Sequence, residues 1–258
     1  MGEMKQDVEK LIQLSKKCAT EAGKMLKEGF SRKKDVIFED STDVKLSIDV
    51  KSEVLIREIL GENAPFPIIG EEKGGEPTLL DSDQYFWVVD PLDGTFNYYR
   101  GIPHCCVSIG LMKGRDPIFG VIHDFNVGET FVGSESGFFI NDQQVINPDW
   151  ASEKEKASII INFPHGSDVS DTEHSSLLIG LRDFKKVRIN GSAALGLAYV
   201  AAGRSDAFWA KGIRLWDVAG ALAMLKAVGA TFRLQSVPSK DFGVTIWASA
   251  NKDWSWPL

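Results

Sequence analysis

Cysteine and histidine are scarce in this sequence, which has three cysteines and four histidines among 258 residues. The cysteines are Cys18, Cys105 and Cys106; they form no CxxC pair, and no histidine lies at zinc-ligand spacing from them. This pattern indicates neither a disulfide framework nor a structural zinc site. It predicts buried thiols in a reducing compartment.

Positive charge is also in short supply, with 29 lysines and arginines against 36 aspartates and glutamates and a formal net charge of -7. This acidic balance gives no general attraction to nucleic acid or to an anionic membrane, so we expect neither as a partner. No apolar run approaches the roughly 18 residues of a membrane span. The first ten residues, MGEMKQDVEK, alternate charges where a signal peptide has an apolar core. We therefore expect a cytoplasmic globular protein, with a large core supplied by 43% hydrophobic residues.

The pattern of apolar residues changes near residue 150, which predicts two halves, residues 1–150 and 151–258. In the first half, helical spacing predicts a helix from Val8 to Gly29 and another from about Lys51 to Leu60, stopped by Gly61. Short β-branched and aromatic runs then predict a meandering, largely antiparallel sheet. Its predicted strands are Pro67–Gly70, Tyr85–Asp90, Cys105–Met112, Pro117–His123, Thr130–Val132 and Phe138–Ile140.

The second half alternates strand and helix, which favours an α/β layer. The predicted strands are Ser158–Asn162, Val187–Asn190, Ala207–Ala210, Thr231–Leu234 and Val244–Ala248. The predicted helices are Thr172–Leu181, Ala193–Ala202 and Asp217–Val228. The fold class predicted from these patterns is an α+β half joined to an α/β half.

The segment YFWVVDPLDGTFN, residues 85–97, places two carboxylates at the end of one apolar strand. Asp90 ends the strand, Pro91 turns the chain without donating a ladder hydrogen bond, and Asp93 follows. Two like charges within about 4 Å repel by roughly 4 kcal/mol at an effective dielectric of about 20, so a cation or a proton is needed there. Oxygen ligands suit a hard cation, and the segment predicts bound Mg²⁺ or Mn²⁺. The alternative is that Asp90 only caps the turn and Asp93 is solvated.

Two further segments end in acid. Glu71 and Glu72 follow the apolar run Ile68–Gly70, and Asp217 follows Trp216 at a helix start. Taken singly, Glu72 is a solvated residue and Asp217 is an adequate helix N-cap. Three carboxylate-bearing strand ends or helix starts without histidine or cysteine together favour a magnesium site.

Anion binding has its own pattern in this chain. Gly94 and Thr95 stand at a predicted helix start, and Gly191 and Ser192 repeat the arrangement before Ala193. Unpaired N–H groups at a helix start favour the binding of phosphate. The alternative is that Ser192 is only the N-cap of its helix. There is no GxxxxGK[ST] and no strand-linked GxGxxG, so neither a P-loop nor a dinucleotide site is supported.

Three motifs follow one another along the chain: GEE at residues 70–72, DPLDGT at residues 90–95 and WDVAGA at residues 216–221. In this order and spacing they resemble the inositol monophosphatase family of Mg²⁺-dependent, lithium-sensitive phosphatases. The similarity extends from the first helix to about Ala250. The resemblance implies a layered αβαβα sandwich, commonly a homodimer, and it agrees with the two halves drawn above.

The resemblance also implies the site residues. The metal ligands it implies are Glu71, Asp90, the Leu92 carbonyl, Asp93 and Asp217, with Asp49 helping to hold a further, weaker ion. Two or three Mg²⁺ ions are therefore expected, with Mn²⁺ as an alternative. The catalytic residues it implies are Glu71 and Thr95, which orient the attacking water, and Asp93. The substrate contacts it implies are the Gly94 and Thr95 amides for phosphate and Gly191, Ser192 and Ala193 on the substrate side.

Two departures from the family pattern concern the substrate and the metals. Ala210 stands where inositol-specific members commonly carry a glutamate that contacts the ring hydroxyls. Nearby Lys211 and Arg214 favour an extra negative charge on the substrate, although exposed lysines are usually only solvated. The basic residue that many relatives place upstream of the segment from Asp43 to Asp49 is missing, since residues 38–40 read FED. Without that basic residue, the sequence does not determine the number of bound metal ions or how the N-terminal loop closes.

The expected activity is hydrolysis of a phosphate monoester, an inositol phosphate or a related sugar phosphate, by a metal-activated water. An alternative is a bisphosphatase for fructose 1,6-bisphosphate or 3'-phosphoadenosine 5'-phosphate, with Lys211 and Arg214 on the second phosphate. A different class is a regulatory binding protein, since the resemblance includes bacterial relatives associated with transcription or ribosome assembly. The acidic balance disfavours direct RNA contact by such a protein.

Overall fold

The computed structural model describes residues 2–40, 44–163 and 169–254, with side chains from residue 7 onwards. Its helices are α1 (Gly2–Phe30), α2 (Ser47–Asn63), α3 (Thr95–Arg100), α4 (Asp171–Leu181), α5 (Ala193–Ala201) and α6 (Trp216–Ala227). Its first nine strands are β1 (Val36–Glu39), β2 (Val44–Leu46), β3 (Ile68–Gly70), β4 (Tyr85–Asp93), β5 (Cys106–Lys113), β6 (Asp116–Asp124), β7 (Glu129–Ser134), β8 (Gly137–Ile140) and β9 (Gln143–Gln144). The remaining strands are β10 (Ser158–Ile161), β11 (Lys186–Arg188), β12 (Ala207–Arg214), β13 (Thr231–Ser236) and β14 (Gly243–Ser249).

Two large sheets organise the described chain. The first has the order β3-β4-β5-β6-β7-β8-β9, in which β3 and β4 are parallel and the other neighbours are antiparallel. The second has the order β11-β10-β12-β14-β13, with β10 parallel to β11 and β12 and with β14 antiparallel to β12 and β13. The meandering first sheet and the α/β second layer are both confirmed.

The alternation of side chains along β4 shows how the layers form. Trp87 and Val89 point into one apolar cluster with α1 and α2, whereas Phe86 and Val88 point into another with α5, α6 and the second sheet. A third cluster covers the far face of the second sheet and includes Leu177 of α4. The order of layers is helix, sheet, helix, sheet, helix, which confirms the predicted αβαβα sandwich.

Helix α6 approaches the first sheet closely because glycines line the contact. A Cβ atom on Gly120 would lie 1.8 Å from the carbonyl oxygen of Gly220 in α6. Gly110 and Gly133 of the neighbouring strands also face α6, at Ala219 and Met224. Helix α6 therefore packs directly on the backbone of the sheet, which brings its first turn to the end of β4 and the start of β5.

Helix α2 differs most from its predicted bounds. It begins at Ser47, four residues before the predicted Lys51, because Asp49 in its first turn accepts a hydrogen bond from the Leu46 N–H at 2.9 Å. It also continues through Gly61 to Asn63. The prediction that Gly61 stops the helix is therefore wrong; the stop comes at Ala64, which precedes Pro65 and cannot easily be helical.

The two sheets fall on either side of residue 150, but one apolar cluster joins them through α5 and α6. A boundary between two separate domains there stays a prediction. The three cysteines are buried and free, as expected. Across the described ranges, the structure has no helix of the length and hydropathy that a membrane crossing requires.

Candidate functional site

A bulge at the end of β4 positions the first two carboxylates. Asp90 pairs with Ser108 of β5 and Asp93 pairs with Cys106, so β4 contains one extra residue between these two pairs. Pro91 lies in this bulge, where its missing N–H costs no ladder hydrogen bond. The Asp90 carboxylate accepts the Leu92 N–H at 3.0 Å. The strand thus runs through the bulge to Asp93 and does not stop at Asp90 as predicted.

The third carboxylate comes from α6, more than a hundred positions along the chain. Oxygen atoms of Asp90, Asp93 and Asp217 lie within 4.8 Å of one another. Asp217 lies in the first turn of α6 and accepts the Arg214 N–H at 2.7 Å, while Leu215 is the N-cap residue. The structure therefore brings together the predicted ligands from two motifs.

Glu71 lies beside this cluster, directly after β3. Its N–H donates to the Val89 carbonyl at 3.3 Å, and its carboxyl group shares a hydrogen bond with that of Asp90. Burial, followed by the charges of Asp217, Glu72 and Asp49, raises the pKa of Glu71 well above its usual range. The acids from all three motifs thus interact with one another.

Electrostatic strain is the main property of the carboxylate cluster. Burial and then the charges of Glu71, Asp93 and Asp217 raise the pKa of Asp90 well above its usual range. Burial and then the charge of Asp93 raise the pKa of Asp217 to about 7. These acids therefore hold protons more strongly than ordinary carboxyl groups, and a bound cation would favour their ionised forms. An oxygen-only donor set under such strain fits a hard divalent cation such as Mg²⁺ or Mn²⁺.

Asp93 connects the cluster to the second half of the chain. Its carboxylate accepts the Ser192 hydroxyl, the Ala193 N–H at 3.2 Å and the Ala194 N–H at 3.0 Å. Ser192 is also the N-cap of α5, as the simpler interpretation of its sequence held. The start of α5 therefore binds a carboxylate of the protein itself, and a substrate contact by Ser192 or Ala193 stays a prediction.

Two glycines lie next to residues of the site, Gly94 directly after Asp93 and Gly191 directly before Ser192. Gly94 and Gly191 have φ angles of 87° and 75°, which favour glycine, and a Cβ on Gly94 would lie 3.2 Å from the Gly191 carbonyl. The Thr95 hydroxyl donates to the Leu92 carbonyl at 2.9 Å. Asn97 holds the two loops together, since its side-chain amide donates to the Asn190 carbonyl at 2.8 Å.

Asp49 and Glu72 lie on the Glu71 side of the site together with a lysine. Asp49 is only 2% exposed, and its charge acts on Glu71. The expectation that Glu72 is solvated is wrong: its side chain is 3% exposed and lies 2.6 Å from the Lys45 ammonium group. Lys45 was not singled out in the sequence, where a lysine between Val44 and Leu46 resembles an ordinary strand residue.

A buried ion pair holds the turn that carries Glu71. Glu53 of α2 is fully buried and accepts the Glu72 N–H at 2.7 Å and the Lys73 N–H at 3.1 Å. Arg57 pairs with Glu53 at 2.7 Å and donates to the Gly74 carbonyl at 3.0 Å. Sequence reasoning also missed this pair, although an acid and a base four residues apart on one helix are a recognisable signal.

The two predicted cationic contacts already have partners in the protein. Lys211 forms an ion pair with Glu173 of α4 at 2.8 Å. The Arg214 guanidinium donates to the Asp241 carbonyl and lies 5.9 Å from the centre of the Trp216 ring. Neither side chain contacts the carboxylate cluster in these interactions, so a role on a second substrate phosphate stays a prediction.

Comparison with known proteins places this geometry in context. Residues 7–247 match the sequence profile of the inositol monophosphatase family. The chain belongs to this family. A similar protein named "Nus factor SuhB", from Xylella fastidiosa, is 33% identical over 225 residues, which cover 84% of this chain and 79% of that protein.

Other members of the inositol monophosphatase family support the same assignment. A protein from Aquifex aeolicus named "Fructose-1,6-bisphosphatase/inositol-1-monophosphatase" is 31% identical and covers 96% of this chain and 93% of its own length. The solved inositol monophosphatase from Anabaena superposes with a TM-score of 0.79 at 29% identity, covering 94% of this chain and 91% of that one. The recognition of the family and its fold from three short motifs is confirmed.

Proposed function

We propose that this protein is a Mg²⁺-dependent phosphate monoester hydrolase that releases phosphate from an inositol phosphate or a related sugar phosphate. One observation carries the proposal: three buried or half-buried carboxylates from two distant motifs converge within 4.8 Å, with Glu71 hydrogen-bonded to one of them. Family membership supports the reaction class, because relatives are named inositol monophosphatase.

The chemistry explains why such residues are needed. A phosphate monoester is an anion, so its hydrolysis requires charge neutralisation, a positioned water and stabilisation of the departing oxygen. Divalent cations supply all three when they are bound. Asp90, Asp93 and Asp217 would hold such ions, together with Glu71 and the Leu92 carbonyl.

The protein groups orient the water and the phosphate. The Thr95 hydroxyl donates its proton to the Leu92 carbonyl, which leaves the Thr95 oxygen as an acceptor for a water proton. The Glu71 carboxylate is a second acceptor, and two acceptors define the direction of the water lone pair. The Gly94 backbone, in a conformation that a side chain would strain, allows close approach of the phosphate.

The surroundings of Lys211 and Arg214 favour a monophosphate over a bisphosphate. Glu173 offsets the charge of Lys211, and Arg214 is engaged by Asp241 and Trp216. A second phosphate would have to break these interactions before it could bind there. Ala210 supplies no carboxylate that could bind the ring hydroxyls of inositol. The proposed range of substrates therefore includes other sugar phosphates besides inositol phosphate.

A regulatory role is the second candidate, and the relative named Nus factor SuhB favours it. The clustered carboxylates favour retained catalysis, because mutual repulsion of this size is costly in a protein that only binds a partner. Pull-down of the same protein partners by wild type and by an Asp93→Asn variant would support the regulatory role.

Phosphate release from a panel of inositol, sugar, histidinol and nucleotide phosphates tests the proposal. The panel includes fructose 1,6-bisphosphate and 3'-phosphoadenosine 5'-phosphate, and each reaction is run with Mg²⁺ and with EDTA. We expect Mg²⁺-dependent release from at least one monophosphate, and loss of release with EDTA and in Asp93→Asn. Release that persists in EDTA, or no release from any monoester, contradicts the proposal.

A further inference from the structure

Lys45 places a permanent positive charge beside the acids on the Glu71 side of the site. Its ammonium nitrogen lies 2.6 Å from Glu72, whose side chain is almost completely buried. The Lys45 side chain is itself only 34% exposed. The Glu72 end of this ion pair is therefore withdrawn from water, unlike a surface pair in which both charges are screened.

The backbone holds this lysine close to Asp49 as well. Lys45 lies in β2 between the buried side chains of Val44 and Leu46, and the Leu46 N–H donates to the Asp49 carboxylate at 2.9 Å. Burial acts to lower the pKa of Lys45, but the hydrogen bond to Glu72 and the charges of Glu71 and Asp49 outweigh it and raise that pKa. The ammonium group thus contacts Glu72 directly and acts on Glu71 and Asp49 through its charge.

The two sides of the site therefore differ in how charge is compensated. Asp90, Asp93 and Asp217 each have a carboxylate oxygen within 4.8 Å of those of the other two. On the other side, Glu72 faces Lys45, and Glu71 and Asp49 share the field of that ammonium group. On the first side, retained protons or a bound cation must offset the mutual repulsion of the carboxylates, which the more distant charges of Arg214 and Lys240 only reduce. On the second side, Lys45 places an ammonium group in direct contact with Glu72.

We propose that Lys45 is a resident cation of this site: its ammonium group supplies the positive charge next to Glu71, Glu72 and Asp49, so that the chain binds two divalent ions and excludes a third at Asp49. This inference rests on the proposed function, which requires that the carboxylate cluster bind divalent ions. It concerns the number of ions, a property that the sequence left at two or three.

Counting bound Mn²⁺ ions tests the inference without measuring turnover. Mn²⁺ is titrated into metal-free protein, and the free ion is quantified by its electron paramagnetic resonance signal. The variants are Lys45→Met, which removes the charge, and Lys45→Arg, which retains it. Lys113→Met is the matched control, because Lys113 is 35% exposed and pairs with Asp83 at 2.8 Å at the opposite end of β4 and β5.

We expect two ions per chain for the wild type, Lys45→Arg and Lys113→Met. Lys45→Met is expected to bind a third ion at least about tenfold more tightly than the wild type, which corresponds to about 1.4 kcal/mol of repulsion removed. Thermal unfolding checks that each variant is folded, and Lys45→Gln replaces Lys45→Met if that variant does not fold.

The outcomes separate the two proposals. A wild type that binds no Mn²⁺ contradicts the proposed function itself. A wild type that binds three ions, or a Lys45→Met variant that binds two ions exactly as the Lys113→Met control does, overturns the role of Lys45 and leaves the proposed function intact.

Discussion

Replacing Asp217 by asparagine should stabilise the metal-free protein while weakening its stabilisation by Mg²⁺. The pKa of Asp217 rises from an ordinary value of 3.8 to about 7, because burial and the charge of Asp93 both disfavour the carboxylate. Since one pKa unit corresponds to about 1.4 kcal/mol, the ionised Asp217 costs the folded state about 4 kcal/mol above pH 7. Asparagine has no charge, and its carbonyl oxygen can still accept the Arg214 N–H.

The direction of the pH effect follows from proton binding. Between pH 4 and pH 7 the folded protein holds a proton on Asp217 that the unfolded chain has released, so stability falls as the pH rises through this window. A bound divalent cation replaces the proton and restores stability. The stability gained by Asp217→Asn should therefore grow from below about 1 kcal/mol at pH 4 to about 4 kcal/mol at pH 8 in metal-free solution.

Urea unfolding measures this effect directly. The free energy of unfolding of wild type and Asp217→Asn is determined at several pH values, in EDTA and in Mg²⁺. We expect Mg²⁺ to raise the wild-type value more at pH 8 than at pH 5, and to raise that of Asp217→Asn much less. Equal unfolding midpoints for the two proteins in EDTA at pH 8 would refute the reasoning, because the carboxylate repulsion would then have no energetic consequence.

Three further predictions address the chemistry, the Glu71 turn and the packing of α6. Asp93→Asn should lower the rate of phosphate release about a hundredfold or more while circular dichroism is unchanged, and near-normal release would remove Asp93 from the site. Arg57→Met leaves the fully buried Glu53 without its counter-ion and should lower the free energy of unfolding in urea by about 3–5 kcal/mol. A loss below about 1 kcal/mol would show that the N–H donors of Glu72 and Lys73 alone satisfy Glu53. A Cβ on Gly120 overlaps the α6 backbone, so Gly120→Ala should cost about 3 kcal/mol or more. The control Gly61→Ala, with no atom within 4 Å of the new Cβ, should stabilise α2 by about 0.5–1 kcal/mol, and equal effects of the two changes would contradict the packing argument.

The elements that the sequence predicted best are those with strong local patterns. Helix α4 is predicted at Thr172–Leu181 and observed at Asp171–Leu181, with Ser170 as its cap. Where the observed end of a helix or strand differs from the predicted one, a single local feature is the cause. Asp49 starts α2 early, Pro65 ends it late, and a bulge extends β4 to Asp93. A single hydrogen bond or one extra residue decides where such a helix or strand ends. The periodicity of apolar residues predicts neither feature.

The sequence by itself determined which chemical groups this protein can use. The three acidic motifs and the glycines that precede two helices are short, and each can be recognised without knowledge of any long-range contact. The sequence also determined the alternation of apolar side chains along the strands, whereas the order of layers was implied by the family resemblance. Only the tertiary structure decided what those groups meet. The charge on Glu72 meets Lys45, Asp93 meets the start of α5, and Lys211 meets Glu173, each pair formed between segments that are far apart in the chain. Such pairings depend on how the sheets and helices pack, because packing decides which distant segments become neighbours. Local sequence patterns do not specify these distances.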